Sequence, residues 1–478
     1  MCWVDSSTSV FFCHLLLITH QTLIPTLGAV TIVAGPAAPP RSICAFPKKV
    51  KAMTAISFSR LRVRHWRQFR NVDLEFSPSV TILTGRNGTG KTTILNILAQ
   101  HSRYHSTFLG SPSPQRDTLG RFTSGAWNWD EVDRESTNLI GTITYSTSQE
   151  SEIRIAKNVD VNFTPQLSPK LALSVLNIPS HRRLQGYKKI DSIPTTPITR
   201  EAALDNFQKE FWSGVRGDIT RATPLTKMKE ALISMAAFGE GNSRVSSIGA
   251  SLAALQDFER RLHQIIPRNI GFKRIVVQIP DVILETDSGR FLIDASSGGL
   301  MSLIEITWQI TLFGRQEERF VVVIDEPENH LHPSMQREFL PALAKAFPEA
   351  QFIVATHSPF VVSSVKDAKV YAFDVDNNEM ERRPLPVDLS ATSNSIITSK
   401  IDLMDRLTSA QVLRQVLGVP VTVPLWAENE LDAVLARYRG RTFTSEDIEN
   451  LHTELSERGL GDYLPDIVAR ASGRHASN

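Results

Sequence analysis

Gly85-Arg86-Asn87-Gly88-Thr89-Gly90-Lys91-Thr92 satisfies the pattern G-x-x-x-x-G-K-[ST] at every fixed position. The glycines allow a tight turn that aims successive backbone N–H groups at an anion. The β-rich stretch Val80 to Leu83 precedes the turn. Thr92 to Gln100 follows it, with Ile94, Leu95, Ile97 and Leu98 on one helical face. A strand, a glycine loop and a helix whose positive end faces that loop make a phosphate cradle. In such a cradle Lys91 reaches the β- and γ-phosphates and the Thr92 hydroxyl holds Mg2+. Gly85 through Thr93 are the expected nucleotide contacts, with ATP and Mg2+ as the expected ligands.

Far downstream, Phe320-Val-Val-Val-Ile324 runs unbroken into Asp325-Glu326. An apolar run of this kind reads as a strand buried in a parallel sheet. Ligands in such folds gather at the carboxyl ends of the strands. Successive side chains diverge there, so the two acids can divide roles. Asp325 can bind Mg2+, and Glu326 can orient and deprotonate an attacking water. An acidic pair alone reads equally as a solvated turn; beside an intact phosphate loop it reads as chemistry.

Further out, Ile56 to Phe76 predicts two short strands with a turn. Ser111 to Asp130, rich in Ser, Gly and Pro and carrying Trp127 and Trp129, reads as a loop. Asn138 to Tyr145 and Glu152 to Ile155 predict antiparallel strands, and Leu173 to Ile178 a buried one. Glu201 to Val215, Leu225 to Phe238 and Ile248 to Ile266 are helical patterns. The last places Ile248, Leu252, Leu255, Phe258, Leu262 and Ile265 in steps of three and four. Heptads are not sustained, so these helices predict a compact subdomain rather than a coiled-coil arm. Strands are expected at Arg274 to Ile279, Val282 to Thr286, Phe291 to Ile293, Gln351 to Thr356 and Lys369 to Asp374. Helices are expected at Leu300 to Phe313, Met335 to Ala346, Glu428 to Tyr438 and Ser445 to Arg458. This alternation argues for a largely parallel sheet with helices on its faces.

The 478 residues carry a formal charge of only +2, so no overall basic field implies nonspecific nucleic-acid binding. The first 52 residues differ from the rest. They hold all three cysteines (Cys2, Cys13, Cys44) and the bases Arg41, Lys48, Lys49 and Lys51 against Asp5 alone; without them the charge falls to about −1. Their apolar run, Val10 to Ile18, is broken by His14 and too short for a clean membrane span. The favoured reading is a disordered or mis-called extension with the start at Met53; a membrane-associating tail and a secretory signal are the alternatives. A signal would need a basic stretch ahead of the run, where only Asp5 stands. A cysteine-free body fits a reducing, cytoplasmic setting.

Val322-Val-Ile-Asp325-Glu326-Pro327-Glu328-Asn329-His330-Leu331-His332-Pro333 and Ala355-Thr356-His357-Ser358-Pro359 resemble the ABC-type ATPases of the RecF/OLD/SMC group. In particular they resemble the stand-alone AAA family ATPases of bacterial defence systems such as Septu and some retrons. The resemblance covers about Ile56 to Asp374. It implies an α/β, ABC-ATPase-like P-loop fold with a mixed sheet, an antiparallel β lobe, a helical insertion and a helical C-terminal region. The expected boundaries are 53–198 for the first lobe, 199–273 for the insertion, 274–376 for the second lobe and 377–478 for the C-terminal region, after the extension 1–52. It also implies a head-to-tail homodimer with ATP at the seam, where His357 is a switch histidine contacting the γ-phosphate. Ser296-Ser297-Gly298-Gly299 resembles the family's signature, binding the γ-phosphate of the opposite subunit through a helix N-terminus. It departs from the usual pattern, with Ala295 where Leu is common and Gly299 where Gln or Glu is common. The family's Mg2+-sensing glutamine has two candidates here, Gln149 and Gln185; Ser180-His181-Arg182-Arg183 lies beside the second.

Some relatives append a TOPRIM nuclease. Here Asp374-Val-Asp376 with Asn377 and Asn378 reads as a polar hairpin turn. Glu428, Glu430 and Asp432 lie off the apolar stripe of their helix. His330 and His332 have no further Cys or His nearby and do not read as a zinc site. Three functions remain in view. One is an ATP switch controlling a separate effector, a nuclease or toxin, in defence against phage. The second is a DNA-repair ATPase acting on DNA, which predicts a basic groove and salt-sensitive binding. The third is a transporter's nucleotide-binding subunit, against which the altered signature and the lack of a membrane-spanning segment in the body both count.

Overall fold

The computed structural model describes residues 56–461, except 113–121, 125–136, 157, 181–185, 191, 219–221, 240–245, 315–317, 376–395, 402–408, 414–416, 418–444 and 458–459. The extension 1–52, Gln185, most of the loop read at Ser111 to Asp130, and the helix read at Glu428 to Tyr438 lie outside those residues.

Alternation of buried and exposed side chains builds the first hairpin. Leu61 and Val63 of β1 (Phe58–Trp66) and Val72 and Leu74 of β2 (Phe69–Glu75) point inward, and Trp66 pairs with Phe69 at the turn. β3 (Val80–Gly85) is buried along its whole length and delivers the chain into α1 (Lys91–Leu98). β4 (Thr137–Tyr145), β5 (Glu150–Ala156) and β6 (Gln166–Ser168) extend the antiparallel part. β7 (Val175–Ile178) crosses to the other edge, where it runs parallel to β11 (Phe320–Asp325).

The helical stretch is α2 (Arg200–Arg216), α3 (Pro224–Gly239) and α4 (Gly249–Ile265). A three-stranded antiparallel sheet follows: β8 (Phe272–Gln278), β9 (Asp281–Thr286) and β10 (Gly289–Leu292). The sequence grouped these strands with the parallel alternation. In the structure they form a sheet of their own, because Ile275, Val282 and Leu284 bury against Phe258, Met228 and Leu232 of the helices. α5 (Gly298–Phe313), α6 (Pro333–Ala346), β12 (Ala350–Ala355) and β13 (Lys369–Val375) then complete the second lobe.

The large sheet has eleven strands in the order β6-β5-β4-β1-β2-β14-β13-β3-β12-β11-β7, where β14 is Ile396–Ile401. β14 was not legible in the stretch read as helical beyond residue 376. It runs antiparallel to β13 and parallel to β2, and so joins the parallel half to the antiparallel half. The polar hairpin turn read at Asp374 to Asn378 falls on residues that, from Asp376 on, lie outside the described ones. Farther on, α7 (Ser445–Glu457) matches the helix read at Ser445 to Arg458. The result is the mixed α/β fold expected from the sequence, with antiparallel lobe and helical insertion.

Both faces of the parallel half are covered. Leu83, Val321, Val323 and Ile353 pack with Ile94, Leu95, Ile97 and Leu98 of α1 on one side. Ile82, Val322, Ile324 and Val354 pack with Leu303, Ile306 and Ile310 of α5 and Leu340 and Leu343 of α6 on the other. α5 is buried from Gly299 to Leu312, since its opposite side faces the insertion. That explains a helix apolar all round. Trp308 meets Phe258 of α4 edge-on, with centroids 4.9 Å apart. No described helix is long and apolar enough to cross a membrane.

Trp308 is fully buried, so Trp308→Ala removes a large apolar surface and leaves a cavity. The expected loss is about 3–5 kcal/mol. It should appear in urea titrations as a lower midpoint with an unchanged slope.

Candidate nucleotide and metal site

The phosphate loop needs its glycines for space as well as for conformation. A Cβ on Gly85 (φ 132°) would lie 2.2 Å from the Phe373 carbonyl oxygen. One on Gly90 (φ 89°) would lie 2.3 Å from the Phe69 ring, so the tip of the first hairpin closes on the loop. Inside the loop, Thr89 Oγ1 donates to the Arg86 carbonyl at 2.8 Å. Lys91 is buried, and its ammonium donates to the carbonyls of Gly85 at 3.0 Å and Arg86 at 2.8 Å. Burial pulls its pKa down to about 8, against the raising pull of Asp325, Glu326 and Glu328. α1 starts at Lys91 with Gly90 in the left-handed region, so its first amides face the loop.

The strand register brings the acids to this loop. Thr92 Oγ1 donates to Asp325 Oδ2 at 2.9 Å. Asp325 is buried, which lifts its pKa to about 6; the Thr92 hydrogen bond works against that shift. A hydroxyl and a carboxylate oxygen this close are hard donors of the kind Mg2+ selects. The Thr92 and Asp325 oxygens at the end of the phosphate loop suit a divalent cation carried with phosphates.

Glu326 adopts φ 47°, an uncommon conformation for a residue with a side chain. Its amide donates to the Ala355 carbonyl at 2.8 Å. Its Oε2 accepts from Asn329 Nδ2 at 3.0 Å, and the same amide group donates to the Ser180 carbonyl at 3.2 Å. The His357 Nε2 lies 3.8 Å from Glu326 Oε1. Partial burial and then the Lys91 charge lower the pKa of His357, while Glu326 and a hydrogen bond to the Gly85 backbone raise it. The ring thus stands between the first residue of the loop and the carboxylate.

Sequence reading missed how this histidine is held. Glu328 Oε1 accepts three hydrogen bonds: from Thr356 Oγ1 at 2.6 Å, His357 N at 2.9 Å and Ser358 N at 3.2 Å. Its Oε2 is buried without a partner, and burial raises its pKa. The signal was present: an acid three residues past Asp325 and a Thr-His-Ser turn after the next strand. His332 has a structural use, its Nδ1 accepting from Ser334 N at 3.3 Å as the cap of α6.

The serine turn sits at the head of α5. Ser297 Oγ caps the helix by accepting from Leu300 N at 3.4 Å, and Ser296 Oγ is buried without a partner. Gly299 packs on the loop of the acidic pair, where a Cβ would come 2.9 Å from the His330 carbonyl. That contact accounts for glycine where Gln or Glu is usual. Gln149 stands apart. It lies in the β4–β5 turn, where its Oε1 accepts from Thr147 and the neighbouring Ser146 bonds Ser57. Beside Ser57, Phe58 bonds Gln351 at the amino end of β12, the edge opposite the phosphate loop. Gln149 therefore lies at the edge away from the phosphate loop, and Gln185 is outside the described residues.

Two family models match the chain. One, described as "AAA domain, putative AbiEii toxin, Type IV TA system", covers residues 247–363; the other, "AAA domain", covers 60–101. Between them they contain the phosphate loop, the serine turn, the acidic pair, Glu328 and His357. The chain is 24% identical over 357 residues to the Septu protein PtuA of Bacillus mycoides (strain KBAB4), covering 71% of this chain and 44% of that protein. It is 22% identical over 331 residues to the Septu protein PtuA of Bacillus thuringiensis, covering 66% of this chain and 76% of that one. It is 22% identical over 383 residues to the "Retron Ec83 probable ATPase" of Escherichia coli, covering 65% and 70%. The chain thus spans less than half of the first of these relatives. Among solved structures, the SMC head domain from Thermotoga maritima aligns with TM-score 0.36 and 11% identity, covering 72% of this chain and 99% of that one.

Glu328→Ala leaves three donors without their acceptor and should cost about 1–3 kcal/mol in urea unfolding. Glu328→Gln keeps an acceptor oxygen and removes the charge. Because the native state raises the pKa of Glu328, its contribution is full below the ordinary Glu range and is lost as pH rises through the elevated value. The melting temperature of Glu328→Gln relative to the unaltered chain should therefore rise between pH 4 and pH 8.

Proposed function

We propose that this chain, related to the AAA-family ATPases of Septu and retron systems, binds ATP with Mg2+ and hydrolyses it. The observation that carries the reading is the 2.9 Å contact between Thr92 Oγ1 and Asp325 Oδ2, which joins the two motifs at one point. The amides from Gly85 to Thr93 cradle the phosphates, and Arg86, Asn87 and Thr89 line the turn between the glycines. Lys91 exchanges its two carbonyl partners for phosphate oxygens, which returns full charge to an ammonium now weakened by burial. Thr92 and Asp325 hold the cation, whose charge helps to neutralise the phosphate oxygens.

Glu326 takes the proton of a water as its oxygen attacks the γ-phosphorus. The bond from that phosphorus to the β–γ bridging oxygen breaks, leaving ADP and inorganic phosphate. Asn329 and the positive φ of Glu326 aim the carboxylate, and His357 contacts the γ-phosphate from the Gly85 side. Ser296, Ser297 and Gly298 complete the site of a second copy, so two chains close head to tail on two nucleotides. Helix-cap amides and a serine hydroxyl suit a terminal phosphate. The names of the relatives support a role in defence against phage, with this chain as the nucleotide switch of a separate effector protein in the cytoplasm.

Lys91→Ala should lower ATP affinity by about a hundredfold or more, measured by equilibrium binding of a fluorescent analogue. Glu326→Gln should keep that affinity and accumulate an ATP-dependent dimer in sedimentation. Its turnover should fall on the order of a hundredfold to ten-thousandfold. Wild-type turnover in Glu326→Gln would show that another group is the base.

A further inference from the structure

Lys229 on α3 has no solvent exposure, and its ammonium lies 2.9 and 3.1 Å from the two carboxylate oxygens of Asp294. The Lys188 carbonyl accepts from the same ammonium at 3.0 Å, and Asp281 Oδ1 stands 3.7 Å away. The Tyr187 ring covers it with its centroid at 5.0 Å. Asp294, whose side chain is 2% exposed, also accepts from the Lys188 amide at 3.3 Å. Burying two charges costs about as much as their attraction returns, so an apolar pair of similar volume would be as stable or more stable. Stability alone does not account for the pair.

Its location does. Asp294 is the middle residue of the single turn Ile293–Ala295, which closes with Ser296 N donating to the Ile293 carbonyl at 3.1 Å. Ser297 then caps α5, and Gly299 rests on the His330 carbonyl, next in the chain to the Asn329 that holds Glu326. The pair therefore ties the central helix of the insertion to the turn that carries the two serines. We propose that Lys229 and Asp294 are positioning residues: they fix Ser296 and Ser297 where the turn meets the phosphate of a nucleotide held by a second copy. The inference rests on the proposed role of that turn.

The test compares full-length wild type, Lys229→Met, Asp294→Leu and the double variant. Nucleotide affinity, held by the phosphate loop, should stay within about threefold of wild type. kcat should fall by about tenfold or more, and the ATP-dependent dimer in a Glu326→Gln background should be lost. If a single variant does not fold, the double variant restores an apolar pair in the same space and carries the measurement. A folded double variant with wild-type kcat overturns the proposal, as does a loss of nucleotide affinity in step with kcat. Ser297→Arg separates the two readings, since wild-type turnover and dimerisation in that variant would remove the role of the turn itself.

Discussion

Everything at the site depends on one register. β3, β12 and β11 run parallel, with Leu83 opposite Ala355 and Ala355 opposite Asp325. The strands therefore end level, and the chain leaves each of them on the same edge: into the phosphate loop, into the His357 turn and into the acidic loop. Two further hydrogen bonds extend that ladder past the strand ends, from Thr356 N to the Leu83 carbonyl at 3.0 Å and from Glu326 N to the Ala355 carbonyl at 2.8 Å. Burial enforces the register. Val321 and Val323 face α1 while Val322 and Ile324 face α5 and α6, so a slip of one residue would exchange the two faces. The contact between Thr92 and Asp325 is a consequence of that packing.

How much of this was legible follows from the range of each interaction. The phosphate loop, α1, β11 and the helices of the insertion were readable because each is set by local chemistry: glycines at a turn, an apolar run, a three-and-four periodicity. β14 was not. Ile396-Ile-Thr-Ser-Lys-Ile401 is a short mixed stretch whose strand character comes from the edges of β13 and β2, which lie far from it in sequence. The grouping of β8 to β10 was misread for the same reason, since strand patterns do not say which sheet a strand joins. Among site residues, the loop and the two acids were found because they end strands within recognisable runs. Glu328 was passed over because its partners, the Thr356 hydroxyl and the amides of His357 and Ser358, follow a different strand, and the acid and the Thr-His-Ser run do not by themselves show that they pair.

The site also shows costs that the rest of the core avoids. Glu326 holds a backbone conformation that costs on the order of 1–3 kcal/mol. Lys91 and Asp325 are each buried enough to move toward their neutral forms, Lys91 to about 8 and Asp325 to about 6. Both shifts would reverse on the proposed function, where a highly charged anion and a divalent cation together supply the opposite charges that burial withheld. Binding of such ligands would thus relieve an electrostatic penalty that folding has incurred. That is the expected direction for groups that await a ligand, and the reverse of the direction for a salt bridge already complete in the native state.

Glu328 and Lys229 extend this reasoning away from the nucleotide. Neither is there to fill space: Glu328 is the acceptor for three donors, and Lys229 and Asp294 can be exchanged for apolar side chains without net cost only as a pair. Each instead makes several directional contacts beside a turn: Glu328 to the Thr356 hydroxyl and the amides of His357 and Ser358, and Lys229 to the Lys188 carbonyl and to the carboxylate of Asp294, which stands in the turn before Ser296. Apolar contacts tolerate small rotations and slides, whereas a carboxylate accepting three hydrogen bonds does not. A tolerance well below an ångström is what a phosphate contact demands, since misplacement on that scale costs about a hundredfold in rate. Buried charge placed behind a turn is therefore a physical means of setting its height to within that tolerance, and on the proposed function the two turns so supported meet terminal phosphates, the His357 turn that of its own chain's nucleotide and the serine turn that of a second copy.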